Sequence, residues 1–94
     1  MQTGTMQITL FLRQSRSLKD KRRVIKSIKD RLRNRFNVSV AETDANDRIQ
    51  TAVLAVAIVG NERRYLQSTL EKILNFVRNR ADAALTDYEQ EIFC

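Results

Sequence analysis

The 94-residue chain contains no histidine, no tryptophan and no proline, and it has one cysteine and two glycines. Without histidine it lacks the commonest general base, the commonest metal ligand and the usual partner of a nucleophilic Ser or Cys. Cys94 alone forms no thiolate cluster and no disulfide, which excludes a cysteine-type zinc site and fits a reducing compartment. Gly4 and Gly60 are too far apart to build a phosphate-cradling loop of either common pattern. No apolar run approaches the roughly 18 residues of a membrane-spanning helix. The opening Met1-Gln-Thr-Gly-Thr-Met6 has neither the basic nor the apolar region of a secretory signal, so the expected location is the cytoplasm. Asp44 and Asp47 flank a turn, where such residues generally bond their own backbone rather than a metal. Together these absences argue against an enzyme and predict no metal and no cofactor.

With 43% apolar and 30% charged residues, the chain has the composition of one small globular domain, its core spanning residues 6–93. Met6, Ile8, Leu10 and Leu12 alternate with Gln7, Thr9, Phe11 and Arg13, as a strand does, and the first five residues look dispensable. After the turn Arg13–Ser17 the period becomes helical. Ser17 fits an N-cap with Asp20 three residues on, and Leu18, Ile25, Ile28, Leu32 and Phe36 share one face. Asn37–Thr43 reads as a second strand, Asp44–Asp47 as a hairpin turn, and Ile49–Val59 as a long strand apolar on both faces and hence central. Asn61 then caps a second helix striped by Leu66, Leu70, Ile73, Leu74 and Val77, and Leu85–Phe93 forms the last strand. The order β-α-β-β-α-β predicts an α+β, ferredoxin-like fold: a four-stranded antiparallel sheet with both helices on one face.

The net charge of +6 is unevenly distributed: residues 13–35 hold eleven of the seventeen Lys and Arg and only Asp20 and Asp30. On helix 1, Lys19, Arg22, Arg23, Lys26 and Arg33 fall along one flank, Arg31 and Arg35 lie on the other, and Lys21 and Lys29 border the apolar arc with their stems along the core edge. Neighbours of like sign at i,i+3 and i,i+4 repel, so intramolecular stability does not account for the stripe. A polyanion does, because each neutralised phosphate releases counterions. The expected nucleic-acid contacts are therefore Arg16, Lys19, Arg22, Arg23, Lys26 and Arg33. A membrane surface is not expected, since no aromatic anchors flank the stripe. Base stacking on the sheet is also disfavoured. Its open face offers only Phe11 among Val53, Ala55, Ala57 and Val59, with Asp87, Glu89 and Glu91 alongside. That face instead suggests a buried contact through Phe11, Val53, Ala55, Ala57 and Val59, most simply a sheet-to-sheet homodimer.

The passage Ser17-Leu-Lys-Asp-Lys-Arg-Arg, the run Arg35-Phe-Asn-Val-Ser-Val-Ala-Glu42 and the strand Ala52–Asn61 resemble the YlxP-like family of small bacterial proteins, a domain of unknown function. The resemblance extends over about Met6–Phe93 and implies a ferredoxin-like fold. The family's genes often adjoin those for translation initiation factor two and ribosome-binding factor A, which implies a role near RNA or the ribosome. No catalytic residues are established for it. The loop Arg13–Arg16 lacks the family's usual Pro or Gly, and a His often found after strand 1 is absent. The leading expectation is a non-enzymatic RNA- or ribosome-associated protein. Two alternatives remain: a homodimer acting through the open sheet, and an acylphosphatase-like phosphate hydrolase using Arg13 or Arg16, the helix 1 N-terminus and Asn61.

Overall fold

The computed structural model describes residues 1–93; Cys94 lies outside the described residues. The elements are β1 (Gln2–Phe11), α1 (Leu18–Arg35), β2 (Ser39–Asp44), β3 (Thr51–Gly60), α2 (Arg63–Arg78) and β4 (Ala84–Phe93). The strands form one antiparallel sheet in the order β2-β3-β1-β4. The first and second strands of the split βαβ unit are thus separated by β3, as a ferredoxin-like fold requires.

Alternation sets the two faces of the sheet. Met6, Ile8, Leu10, Ala52, Leu54, Val56, Ile58 and Val40 point to one side and are buried with Ile25, Ile28 and Leu32 of α1 and Leu66, Leu70, Ile73, Leu74 and Val77 of α2. Each large aliphatic side chain so buried contributes about 1.5–3 kcal/mol. The opposite face is open. Reading across it from β2 to β4, Ser39, Ala57, Thr5 and Glu91 form one row, and Ala41, Ala55, Gln7 and Glu89 the next.

The structure corrects three element boundaries. β1 starts at Gln2 rather than Met6, pairing Gln2 with Gly60 and Thr3 with both Val59 and Phe93, so the first residues are integral to the sheet. Gly4 is the inward residue there. A Cβ at this position would lie 3.1 Å from Ile58 Cγ2 and 3.4 Å from Leu70 Cδ1, so α2 packs down onto bare backbone. Ile49 belongs to the loop before β3 and is 42% exposed, because Arg48 N–H closes a turn on the Ala45 carbonyl and delays strand pairing. Helix α2 is capped by Glu62, not Asn61, and its side chain makes no capping hydrogen bond.

Candidate nucleic-acid interface

The basic helix is positioned from its N-terminal loop. Leu12 N–H donates to the Gln50 carbonyl at 2.8 Å, and the Gln50 side-chain amide donates to the carbonyls of Arg13 (3.0 Å) and Ser15 (3.3 Å). The buried Ser15 donates its hydroxyl to the Ser17 carbonyl. Ser17 Oγ then accepts from Asp20 N–H at 3.0 Å, as an N-cap should. The Asp20 carboxylate accepts from Arg16 N–H at 3.1 Å, one residue earlier than a standard capping box. This fixes the backbone of Arg16 beside the helix start and leaves its side chain exposed.

Arg22, Lys26, Lys29 and Arg33, spaced i, i+4, i+7 and i+11, line one groove at the side of α1, together with Asp30 and with Glu42 of β2. Two of these cations are already engaged. Lys26 Nζ donates to Asp30 Oδ2 at 2.6 Å, while Arg33 donates to the Val40 carbonyl at 2.6 Å and approaches Asp30 Oδ1 at 3.9 Å. Asp30 is held below the usual carboxylate range by the hydrogen bond from Lys26 and then by the charges of Lys26, Arg33 and Lys29. Arg16, Lys19, Arg22 and Arg23 are exposed, and none has a carboxylate within 4.0 Å among the described residues. Of the six expected contact residues, Arg22, Lys26 and Arg33 therefore share one groove, Arg16 and Lys19 lie on its N-terminal side, and Arg23 lies beside it on the exposed face of the helix.

Lys21 departs from its expected place. Rather than snorkelling at the core edge it is 1% exposed, donating to the Ala45 carbonyl at 2.6 Å, with Nζ 2.8 Å from Glu42 Oε2. The latter approach is not aligned as a hydrogen bond, and Glu42 Oε2 has no other partner. The carbonyl captures this ammonium because Ala45 adopts a left-handed conformation, φ 58°, at the head of the β2–β3 turn. A second feature escaped the periodicity altogether. Arg31 and Arg35 share a groove with Lys72 and Arg80 from the α2 side, where Arg35 lies over the Phe76 ring at 5.4 Å. Helical spacing placed Arg31 and Arg35 on the far flank, but only the tertiary fold brings α2 beside them.

On the open sheet face the proposed contact residues are unequal. Ala57 and Val59 are exposed and Phe11 and Ala55 half-buried, whereas Val53 is 8% exposed between its cross-strand neighbours Thr9 and Asp44. Val53 is therefore covered by its own sheet. Glu89 and Glu91 stand opposite Gln7 and Thr5, so the acidic column does border this face. Asp44 Oδ1 accepts from Ala45 N–H at 2.7 Å, as a turn Asp does. The residues of the hydrolase alternative do not meet. The pairs Phe11–Thr51 and Gln2–Gly60 put Arg13 and Arg16 at one end of the sheet and Asn61 at the other, about 30 Å away at strand rise.

Among the described residues no helix is long and apolar enough to cross a membrane. The chain is 38% identical over 61 residues to "Uncharacterized protein YlxP" of Bacillus subtilis (strain 168), an alignment spanning 65% of this chain and 66% of that protein, just under two thirds of its length. Residues 3–90 match the family described as "Protein of unknown function (DUF503)", so the chain belongs to that family.

Proposed function

We propose that this protein is a non-enzymatic, cytoplasmic factor that associates with RNA or the ribosome, meeting phosphates through Lys19, Arg22, Arg23, Lys26 and Arg33 of α1 and Arg16 just ahead of it. The observation that carries this reading is the stripe Arg22, Lys26, Lys29 and Arg33 along one groove, extended by three exposed cations without carboxylate partners among the described residues. Such a surface is repulsive within the free protein and is relieved by a polyanion. Contacts of this type position a backbone without reading its sequence, which suits a structured RNA whose shape provides the specificity.

The test is co-sedimentation with isolated ribosomal subunits and with free structured RNA at low and at physiological salt. Retention on one subunit at physiological salt, lost in the Arg22→Glu/Arg23→Glu/Lys26→Glu variant, is the expected result. Unchanged affinity and salt slope in that variant would falsify the assignment.

A second reading is favoured by the exposed Ala57 and Val59 and by the shallow depression that Ala41, Ala55, Ala57, Thr5 and Gln7 line on the open face: a homodimer through the sheet. Its weakness is the carboxylate column at the margin, which the contact would have to accommodate. A monomeric mass at tens of micromolar by sedimentation counts against it.

A further inference from the structure

Helix α1 carries cations on both of its flanks. At 3.6 residues per turn, Arg22, Lys26, Lys29 and Arg33 centre on one side of the axis, and Arg31 and Arg35 centre roughly 170° away. The structure gives each set a groove of its own: the first between α1 and the β2 edge, the second between α1 and α2, where Lys72 adds to it and Arg80 is already paired with Asp82. Between the grooves runs a crest with Arg23, Ser27 and Asn34. Arg31, Arg35 and Lys72 have no carboxylate within 4.0 Å among the described residues. The Arg35 guanidinium is instead held by stacking on Phe76, which orders it and leaves its donors unused by acids.

We propose that the polyanion is double-helical RNA, with α1 lying across its minor groove so that the two cationic grooves meet the phosphates of the two opposing strands. This rests on the reading of α1 as a phosphate-binding helix and specifies its partner. Two rows of positive charge separated by about one helix diameter, 10–12 Å, match two backbones rather than one. A single strand would need free aromatic faces on which its bases stack. Neither flank supplies one: Phe36 and Phe76 are half-buried and packed against the core, and Phe76 is covered by Arg35. A DNA duplex fits less well. Its major groove is about 8.5 Å deep and takes a protruding helix, whereas α1 is seated on the sheet with α2 and β2 as shoulders. The wide, shallow minor groove of A-form RNA accepts a low crest, and its 2′-hydroxyls can pair with the exposed Asn34.

The experiment compares binding to a roughly 20-bp RNA duplex, to either of its single strands, and to the DNA duplex of the same sequence, at physiological salt. The RNA duplex is expected to bind at least tenfold tighter than the others. Reversal of either flank, by Arg22→Glu/Lys26→Glu or by Arg31→Glu/Lys72→Glu, is expected to weaken it at least tenfold and flatten its salt slope. The second pair leaves the Arg35–Phe76 stack intact. Glutamine versions at the same positions, which remove charge without adding any, should give a smaller loss in the same direction. Equal affinity for the single strand or the DNA duplex overturns the inference. So does wild-type affinity in the Arg31/Lys72 variants while the Arg22/Lys26 variant is weakened, an outcome that leaves the phosphate-binding role of α1 standing. Absence of binding to any RNA by the wild type removes that role as well.

Discussion

Lys21 Nζ lies 2.6 Å from the Ala45 carbonyl oxygen, joining the first turns of α1 to the head of the β2–β3 turn 24 residues later. The same ammonium faces Glu42 Oε2 at 2.8 Å, and Lys21 is 1% and Glu42 17% exposed. Removing one member of a buried pair strands the other's charge, so Lys21→Met should cost about 2–4 kcal/mol, the lower part of the range reflecting the partial exposure of Glu42. Lys21→Met with Glu42→Gln should recover at least half of that loss, although the Ala45 carbonyl keeps only its bond from Arg48 N–H. Urea unfolding of the single and double variants reads both numbers. Equal stability of Lys21→Met and wild type would mean that the pair is only a close approach.

The same turn predicts a stabilising change. Ala45 is the only non-glycine residue with positive φ among the described residues, at 58°. A Cβ in the left-handed region costs about 1–2 kcal/mol, of which glycine's greater unfolded-state entropy returns part. Ala45→Gly should therefore raise stability by about 0.5–1 kcal/mol, or several degrees in Tm for a domain of this size. Thermal unfolding that shows no gain would place the strain elsewhere in the turn.

The amino-terminal residues make a third prediction. Gln2–Thr5 pair with β3, and Thr3–Thr5 also pair with β4, so removing residues 1–5 exposes both neighbours and the Leu66–Leu70 region of α2 above Gly4. The truncated chain should unfold at clearly lower denaturant, with a reduced m-value as less surface is buried. Gly4→Val should be costly too, by about 1–3 kcal/mol, because its side chain meets Ile58 and Leu70 in a filled space. A truncated chain as stable as the full one would show these pairings to be energetically idle.

Why the periodicity missed this half-strand is physical. Its inward position is Gly4 and its outward positions are Thr3 and Thr5, so no apolar alternation marks it. The helices, by contrast, were legible, since Ile25, Ile28 and Leu32, and likewise Leu66, Leu70, Ile73, Leu74 and Val77, must all face one core. Ile49 misled because an apolar run bears no mark of where pairing begins, and the Ala45–Arg48 turn settles that. Lys21 sat at the edge of a helical projection, and its burial depends on a carbonyl far along the chain. For the same reason the Arg22–Arg33 stripe could be read from one helix, whereas the groove shared by Arg31 and Lys72 needed two.

Acid should weaken the link between α2 and β4. Arg80 donates to both Asp82 oxygens, at 2.9 and 2.6 Å, and this hydrogen bonding holds the Asp82 carboxyl below its usual range. A carboxylate whose folded pKa is depressed binds fewer protons folded than unfolded. Its contribution is thus complete above the unfolded value near 3.9 and is lost as pH falls through the lower folded value. Asp82 is 40% exposed, which keeps the contribution below about 1 kcal/mol. Asp82→Asn should accordingly lower stability slightly at pH 7 and converge with wild type as pH falls through the depressed Asp82 value. Parallel stability curves across that interval would contradict the linkage.

Asp30 is the carboxylate that α1 itself contributes to its cationic groove, and it occupies Lys26 and draws Arg33. In a phosphate complex it opposes the backbone and competes for both cations. Asp30→Asn removes one negative charge and releases Lys26, with little folding penalty because the pair is exposed and i,i+4. RNA affinity should rise about three- to tenfold at physiological salt, and the log–log salt slope should steepen by up to about one as Lys26 gains a phosphate. The direction is diagnostic. If the groove faces only solvent, neutralising Asp30 leaves RNA affinity where it was, and a change confined to low salt would reduce the stripe to a non-specific surface.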